Sequence, residues 1–132
     1  MESGILFVSP HPEHAALLSH MLDSLSVSID NVTDLKQART KLHSREYSVI
    51  LTEAKLPDGT WLDVLDLAHR AAPNSEVIVT DPEADARFWA EALNLGAYDL
   101  IAQPFATGEV QRILGNACTH SPTQLKAVRA TV

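Results

Sequence analysis

Short apolar runs alternate with stretches of mixed polarity along this chain of 132 residues. Three runs, at Ile5–Val8, Val49–Leu51 and Val77–Thr80, are rich in β-branched residues and stop at polar residues or prolines. Such runs are typical of strands that are buried on both faces of a sheet. Less continuous apolar patterns at 27–32 and 98–102 predict two further strands.

Each predicted strand is followed by a stretch in which apolar residues recur at helical spacing. The predicted apolar faces are Ala15, Leu18, Leu22 and Leu25; Leu35, Ala38 and Leu42; Leu62, Leu65 and Ala68; Phe88, Ala92 and Leu95; and Val110, Ile113, Leu114 and Ala117. Pro12 suits the first turn of the first helix, Gly96 a left-handed end to the fourth, and Thr107 the N-cap of the fifth. Because strand-helix-strand crossovers are right-handed, this alternation predicts an α/β fold: a doubly wound, five-stranded parallel sheet with helices on both faces.

Composition narrows the class of protein. The formal net charge is −7 and no dense cluster of lysine and arginine occurs, so we predict no direct binding to nucleic acid. A single cysteine, no apolar run of membrane-spanning length and no signal peptide predict a cytoplasmic protein with no membrane contact. Ser121-Pro122 interrupts the last helix, so we predict one domain at 1–120 and a linker or tail toward an output domain at 121–132.

Glu53 is the first carboxylate after the central apolar run. It should stand at the carboxyl end of a central strand, which is the edge where open α/β sheets bind ligands. His11 and His14 flank Glu13, but their spacing matches no strong metal motif, so we predict neither a metal site nor a cofactor. The chain has no glycine-rich phosphate loop and no nucleophilic serine turn, and we predict that it is not an enzyme.

Three short motifs and one threonine are specific through their order and spacing together. They are Leu56-Pro57-Asp58-Gly59 after the third strand, Thr80 at the end of the fourth, and then Leu95-Gly96-Ala97 and Pro104-Phe105. On these motifs the chain resembles the receiver domain of bacterial two-component response regulators over roughly residues 4–118. The resemblance implies a flavodoxin-like fold with strand order 2-1-3-4-5. It also implies phosphotransfer from a histidine kinase to an aspartate four residues before the proline of the first motif.

The residues at the family's reactive positions depart from its pattern. The phosphoacceptor position is Glu53, the acidic pair that holds Mg²⁺ falls on Ser9 and Pro10, and the lysine falls on Gln103, while Thr80 keeps the hydroxyl. Mg²⁺ requires oxygen ligands that usually include carboxylates, and phosphoryl transfer depends on neutralising charge. Glutamate also places its oxygens about 1.5 Å farther out than aspartate. We therefore predict a degenerate receiver.

The resemblance further implies that the fourth helix, fifth strand and fifth helix form a face for a homodimer or a partner. Trp89, Tyr98 and Leu100 are our candidates for this face, and Leu100 occupies the family's aromatic switch position. The leading hypothesis is a pseudo-receiver in signal transduction or transcription regulation. It would act on a protein partner or an attached output domain through contacts that do not require phosphorylation.

Two alternatives stay open at this stage. One is a working phosphoreceiver that uses Glu53 or Asp58 as acceptor, and the other is a small-molecule sensor that uses a remodelled pocket beneath Trp61. The role of Glu53 itself has two possible interpretations. Either its carboxylate accepts a hydrogen bond from Thr80 and holds an active-like arrangement, or the position has drifted and tolerates any polar residue.

Overall fold

The computed structural model describes residues 3–120, in which strands and helices alternate. In chain order the elements are β1 Ser3–Val8, α1 Pro12–Met21, β2 Val27–Val32, α2 Leu35–Ser44, β3 Val49–Glu53, β4 Lys55–Leu56, β5 Gly59–Thr60, α3 Trp61–Ala71, β6 Glu76–Asp81, α4 Ala86–Asn94, β7 Asp99–Ala102 and α5 Thr107–His120. The tail predicted at 121–132 lies outside the described residues. Within the described part, no helix has both the length and the apolarity that a membrane crossing needs.

The main sheet is parallel and has the order β2-β1-β3-β6-β7. Counted within this sheet alone, the order is 2-1-3-4-5, which confirms the predicted topology. β4 and β5 pair with each other as a small antiparallel hairpin directly after β3. The sequence pattern does not predict this hairpin, because strands of two residues are too short to show an alternating pattern.

The central strand β3 is buried along its whole length, as predicted. Its residues alternate between two layers. Ile50 packs in the layer under α2, α3 and α4, whereas Val49 and Leu51 pack in the layer under α1 and α5. Each fully buried aliphatic side chain of this kind contributes roughly 1.5–3 kcal/mol to folding. Packing on both faces fixes the position of β3 along the strand direction, and thus the position of Glu53 at its carboxyl end.

Helix α1 begins as predicted but ends early. Pro12 is its first residue, where the missing N–H has no helical partner to lose. The helix ends at Met21, and Leu22 and Leu25 belong to a following turn in which the Leu25 N–H donates to the Leu22 carbonyl at 2.9 Å. Both leucines still pack on the layer under α1 and α5.

Three other helix ends follow from local chemistry. Gly96 has a φ of +109°, which confirms the left-handed end predicted for α4. Thr107 is the first residue of α5 rather than its N-cap, so that prediction was off by one position. Thr60 starts α3 through a capping box, in which the Asp63 carboxylate accepts the Thr60 N–H at 2.9 Å.

Two leucines on the predicted helix faces are exposed instead of buried. Leu62 points outward because the buried face of α3 is turned by one residue to Trp61 and Leu65. Leu95 is exposed because α4 ends at Asn94, so its apolar face stops at the fully buried Ala92.

Candidate functional site

Four predicted site positions meet at one edge of the sheet. Ser9 follows β1, Glu53 ends β3, Thr80 lies in β6, and Gln103 follows β7. Glu53 and Thr80 are direct neighbours in the parallel register of β3 and β6. The strand ends thus place all four side chains at the carboxyl edge, where α/β folds bind ligands.

The carboxylate of Glu53 is buried, with only 6% of the residue exposed. Its Oε2 accepts hydrogen bonds from the Ser9 hydroxyl and from Nδ1 of His14, the latter at 2.9 Å. Its Oε1 accepts a longer bond, at 3.4 Å, from the amide of Gln103. An ionised carboxylate only accepts hydrogen bonds, so His14 is the donor in this pair. These three donors offset the cost of burying the charge.

Thr80 is linked to Glu53 only indirectly. Its hydroxyl donates to the Ile101 carbonyl at 2.8 Å and accepts from the Gln103 amide at 3.3 Å. Gln103 therefore bridges the two side chains, and within residues 3–120 Glu53 and Thr80 share no direct hydrogen bond. The alternative in which Thr80 donates directly to Glu53 is therefore wrong, since Ser9 and His14 hold the carboxylate on the side of β1 and α1.

The residues after β1 do not suit the magnesium ion that the family resemblance implies. The ring of Pro10 offers no ligand atom. The Ser9 hydroxyl accepts the backbone N–H of His11 at 3.0 Å while donating to Glu53, so both of its functions are committed to structure. Among the described residues, the metal-ligating atoms that converge here come from His11, His14 and the single carboxylate of Glu53, whereas Mg²⁺ needs several oxygen ligands. This donor set does not fit Mg²⁺.

His11 and His14 are part of the site, although the sequence indicated no metal motif around them. One nitrogen from each ring and one oxygen of Glu53 lie within 4.8 Å of one another. Sequence reasoning missed this group because Glu53 follows His14 by 39 residues and reaches it only through the pairing of β1 with β3. The available signal was two histidines three residues apart at a helix start that follows a buried strand.

The predicted partner face is only partly exposed. Trp89 on α4 is 48% exposed, and its indole N–H donates to the Asp99 carboxylate at 3.0 Å. Tyr98 is half-buried, with its ring centroid 6.5 Å from that of His120 on α5, and burial raises its pKa. Leu100 is only 7% exposed and packs in the core, so it cannot contact a partner in this conformation and that assignment was wrong. Its position on β7 turns the side chain inward, under α4.

Two residues from the alternative hypotheses have structural roles. Trp61 is buried against Phe88, with ring centroids 5.6 Å apart, and it walls an open cleft of about 420 Å³ without covering Glu53. Asp58 is exposed and caps α2. Its carboxylate oxygens accept the backbone N–H groups of Leu35 at 2.9 Å and of Lys36 at 3.3 Å.

Comparison with known proteins gives consistent results. Residues 5–114 match the profile of the response regulator receiver domain. The chain is 25% identical over 112 residues to the response regulator protein PilR of Pseudomonas aeruginosa, covering 85% of this chain and 25% of PilR. It therefore spans about a quarter of the length of that relative.

Solved structures agree at the level of the fold. The signal receiver domain of an HD domain-containing protein from Pseudomonas fluorescens Pf-5 superposes with a TM-score of 0.83 and 25% identity, over 95% of this chain and 93% of that one. The beryllofluoride-activated NtrC4 receiver domain dimer gives a TM-score of 0.79 and 24% identity, over 86% and 94% of the two chains.

Proposed function

This chain belongs to the family of response regulator receiver domains, and we propose that it serves signal transduction as a degenerate receiver. In this proposal it acts through protein contacts that do not depend on phosphorylation, and it is not an enzyme. The observation that carries the proposal is the state of the acceptor position. Glu53 is buried and already accepts hydrogen bonds from Ser9, His14 and Gln103.

The charges around Glu53 support the same conclusion. Phosphoryl transfer requires positive charge close to the developing negative charge, from a metal ion and a cationic side chain. Here the position of the cation carries the neutral Gln103. Lys55 lines the cleft beside Glu53 but is exposed, and among the described residues it forms no ion pair with that carboxylate. A phosphoryl group on Glu53 would therefore meet no strong counter-charge.

The exposed indole of Trp89 supports a protein contact at α4 and β7. Aromatic residues that combine a large apolar surface with a polar group are common anchors of interfaces. The NtrC4 receiver is known as a dimer in its beryllofluoride-activated form. We propose that this chain uses the face around Trp89 and Tyr98 for a second copy, a partner or an attached output domain, and that it does so in the cytoplasm.

Incubation with acetyl phosphate and Mg²⁺, followed by intact-mass spectrometry, tests the proposal. We expect no added phosphate on the wild type, nor on Glu53→Asp, because that change alters the acceptor and supplies neither a metal site nor a cation. We expect phosphorylation only when Ser9→Asp, Pro10→Asp and Gln103→Lys are combined with Glu53→Asp.

The combined variant is the matched control, since it restores the missing groups on the same fold. Circular dichroism would first establish that each variant is folded. A phosphorylated wild type would overturn the degenerate assignment. Phosphorylation of the single Glu53→Asp variant would show instead that the acceptor alone limits the reaction.

A further inference from the structure

We propose that His11, His14 and Glu53 form a binding site for a divalent transition-metal ion of the zinc class. One ligand atom from each of the three side chains lies within 4.8 Å of the other two. Nδ1 of His14 is already 2.9 Å from Oε2 of Glu53. The rings of His11 and His14 meet edge to face, with centroids 4.8 Å apart. The three groups thus converge on one small volume.

The donor set selects the kind of metal. Two imidazole nitrogens and one carboxylate oxygen are ligands that zinc binds, with water in the fourth position. Ligand atoms on one tetrahedral zinc ion, at about 2.0–2.1 Å from it, are about 3.3 Å apart. The widest present separation is 4.8 Å, so closure requires a movement of about 1.5 Å. His11 is exposed and directly precedes α1, so its side chain can make that movement by rotation.

Two of the ligands are held in place by their surroundings. The Ser9 hydroxyl and the Gln103 amide donate to the Glu53 carboxylate. The ring of His14 packs edge to face against Phe105, with centroids 5.8 Å apart. Such outer contacts orient the ligands and raise metal affinity. Binding then requires little ordering beyond the His11 side chain.

The charge of the surrounding cleft favours a cation. The cleft has a volume of about 470 Å³ and is open to solvent. Besides the three ligands, its lining includes the acidic residues Glu13, Asp81 and Glu83 and one basic residue, Lys55. A concave surface with excess negative charge raises the local concentration of divalent cations.

This site lies at the same edge of the sheet as the family's magnesium site and includes Glu53, but it differs in its ligands. Its nitrogen ligands come from the start of α1, whereas Mg²⁺ requires oxygen ligands. A bound zinc-class ion would bridge the start of α1 and the end of β3. Metal binding would then be a regulatory signal for the domain other than phosphorylation. The inference rests on the proposed function in one respect, namely that Glu53 is not phosphorylated.

Isothermal titration of the metal-free chain with Zn²⁺ tests the site, and Co²⁺ in place of Zn²⁺ adds visible absorption bands that report the coordination geometry. We expect one saturable site. His11→Asn, His14→Gln and Glu53→Gln should each weaken Zn²⁺ binding at least about tenfold, since even the loss of an outer contact costs that much. His43→Asn is the matched control, because His43 is exposed on α2, and it should leave the affinity unchanged.

A second measurement covers the case in which the buried Glu53 variant fails to fold. Zn²⁺ added to the isotope-labelled wild type should shift NMR signals around His11, His14 and Glu53 together. No saturable binding, or binding that only His43→Asn weakens, would overturn the proposal. These titrations contain no phosphodonor, so a negative result here is distinct from a phosphorylated wild type in the acetyl phosphate assay.

Discussion

Replacing Tyr47 with phenylalanine should lower the free energy of unfolding at neutral pH. It should also make that free energy decrease less as the pH rises into the alkaline range. Tyr47 directly precedes the buried Ser48 and β3 and is only 1% exposed. Its hydroxyl donates to the Asp30 carboxylate on β2 at 2.5 Å, and Arg45 donates to the same oxygen at 2.8 Å. The Arg45 guanidinium also lies 5.0 Å from the centre of the Tyr47 ring. This cluster connects β2, at the edge of the sheet, to the residues that precede β3.

The cost at neutral pH follows from one lost hydrogen bond. A bond to a charged acceptor contributes about 1.5–3 kcal/mol, and Asp30 would keep Arg45 as its partner. We therefore expect Tyr47→Phe to lower the free energy of unfolding by about 1–2 kcal/mol. The ring of phenylalanine fills the same space, so no cavity adds to this figure.

The alkaline effect follows from the pKa of Tyr47. Burial, with the hydrogen bond to Asp30 and the charge of Asp30, raises this pKa from 10.0 to about 12. A folded-state pKa above the unfolded one stabilises the fold below about pH 10, and that stabilisation is lost as pH rises toward 12. Two pKa units correspond to about 2–3 kcal/mol. The free energy of unfolding of the wild type minus that of Tyr47→Phe should thus decrease by about 2 kcal/mol between about pH 9 and about pH 11.5.

Urea unfolding of both proteins across this pH range measures the difference directly, because the titration of other groups cancels between them. Tyr98→Phe is the comparison variant: the pKa of Tyr98 is also raised, so this change should alter the alkaline loss as well, but it leaves the hydrogen bond from Tyr47 to Asp30 intact at neutral pH. Ultraviolet difference titration of wild type against Tyr47→Phe reports the pKa itself. A difference between wild type and Tyr47→Phe that stays constant from neutral to alkaline pH would refute the reasoning.

Two predictions concern association and metal choice. Trp89→Ala should weaken self-association or partner binding about tenfold or more, because a half-exposed indole offers about 120 Å² for burial, while Leu17→Ala on α1 should not. Sedimentation velocity tests this, and a large loss of stability with unchanged association would place the role of Trp89 in folding. Addition of Mg²⁺ at about 5 mM should leave the NMR spectrum unchanged, because two imidazole nitrogens and one carboxylate converge at the site, whereas this ion needs several oxygen ligands. Shifts confined to Ser9, Glu53 and Ala54 would contradict it.

The strands could be predicted because strands that are buried on both faces consist mainly of apolar residues. β3 is enclosed by two layers, and its first three residues, Val49–Leu51, form the apolar run that marks it in the sequence. Gly96 was equally clear, since a φ of +109° excludes most side chains. The order of the strands depends on pairing between distant segments, and it came from the family resemblance.

Other features depend on contacts that a linear pattern does not contain. Leu62 and Leu95 satisfy the helical spacing but fall outside the buried arc, because the rotation of α3 and the end of α4 are set by neighbouring side chains. The hairpin of β4 and β5 is too short to show periodicity. Leu100 was assigned to a surface by its place in the family, whereas here its side chain packs under α4.

The site itself can be understood as a balance of charge. The family resemblance implies an acidic pair and an acceptor aspartate that are offset by Mg²⁺ and a lysine. In this chain the acidic pair and the lysine are both replaced, and one carboxylate, Glu53, is left among the donors Ser9, His14 and Gln103. Restoring the aspartates alone would crowd uncompensated charge at the strand ends, and restoring the lysine alone would leave one cation against one carboxylate that is already satisfied. A change at one of these positions therefore requires changes at the others, and Ser9, His14 and Gln103 together compensate the burial of the Glu53 carboxylate.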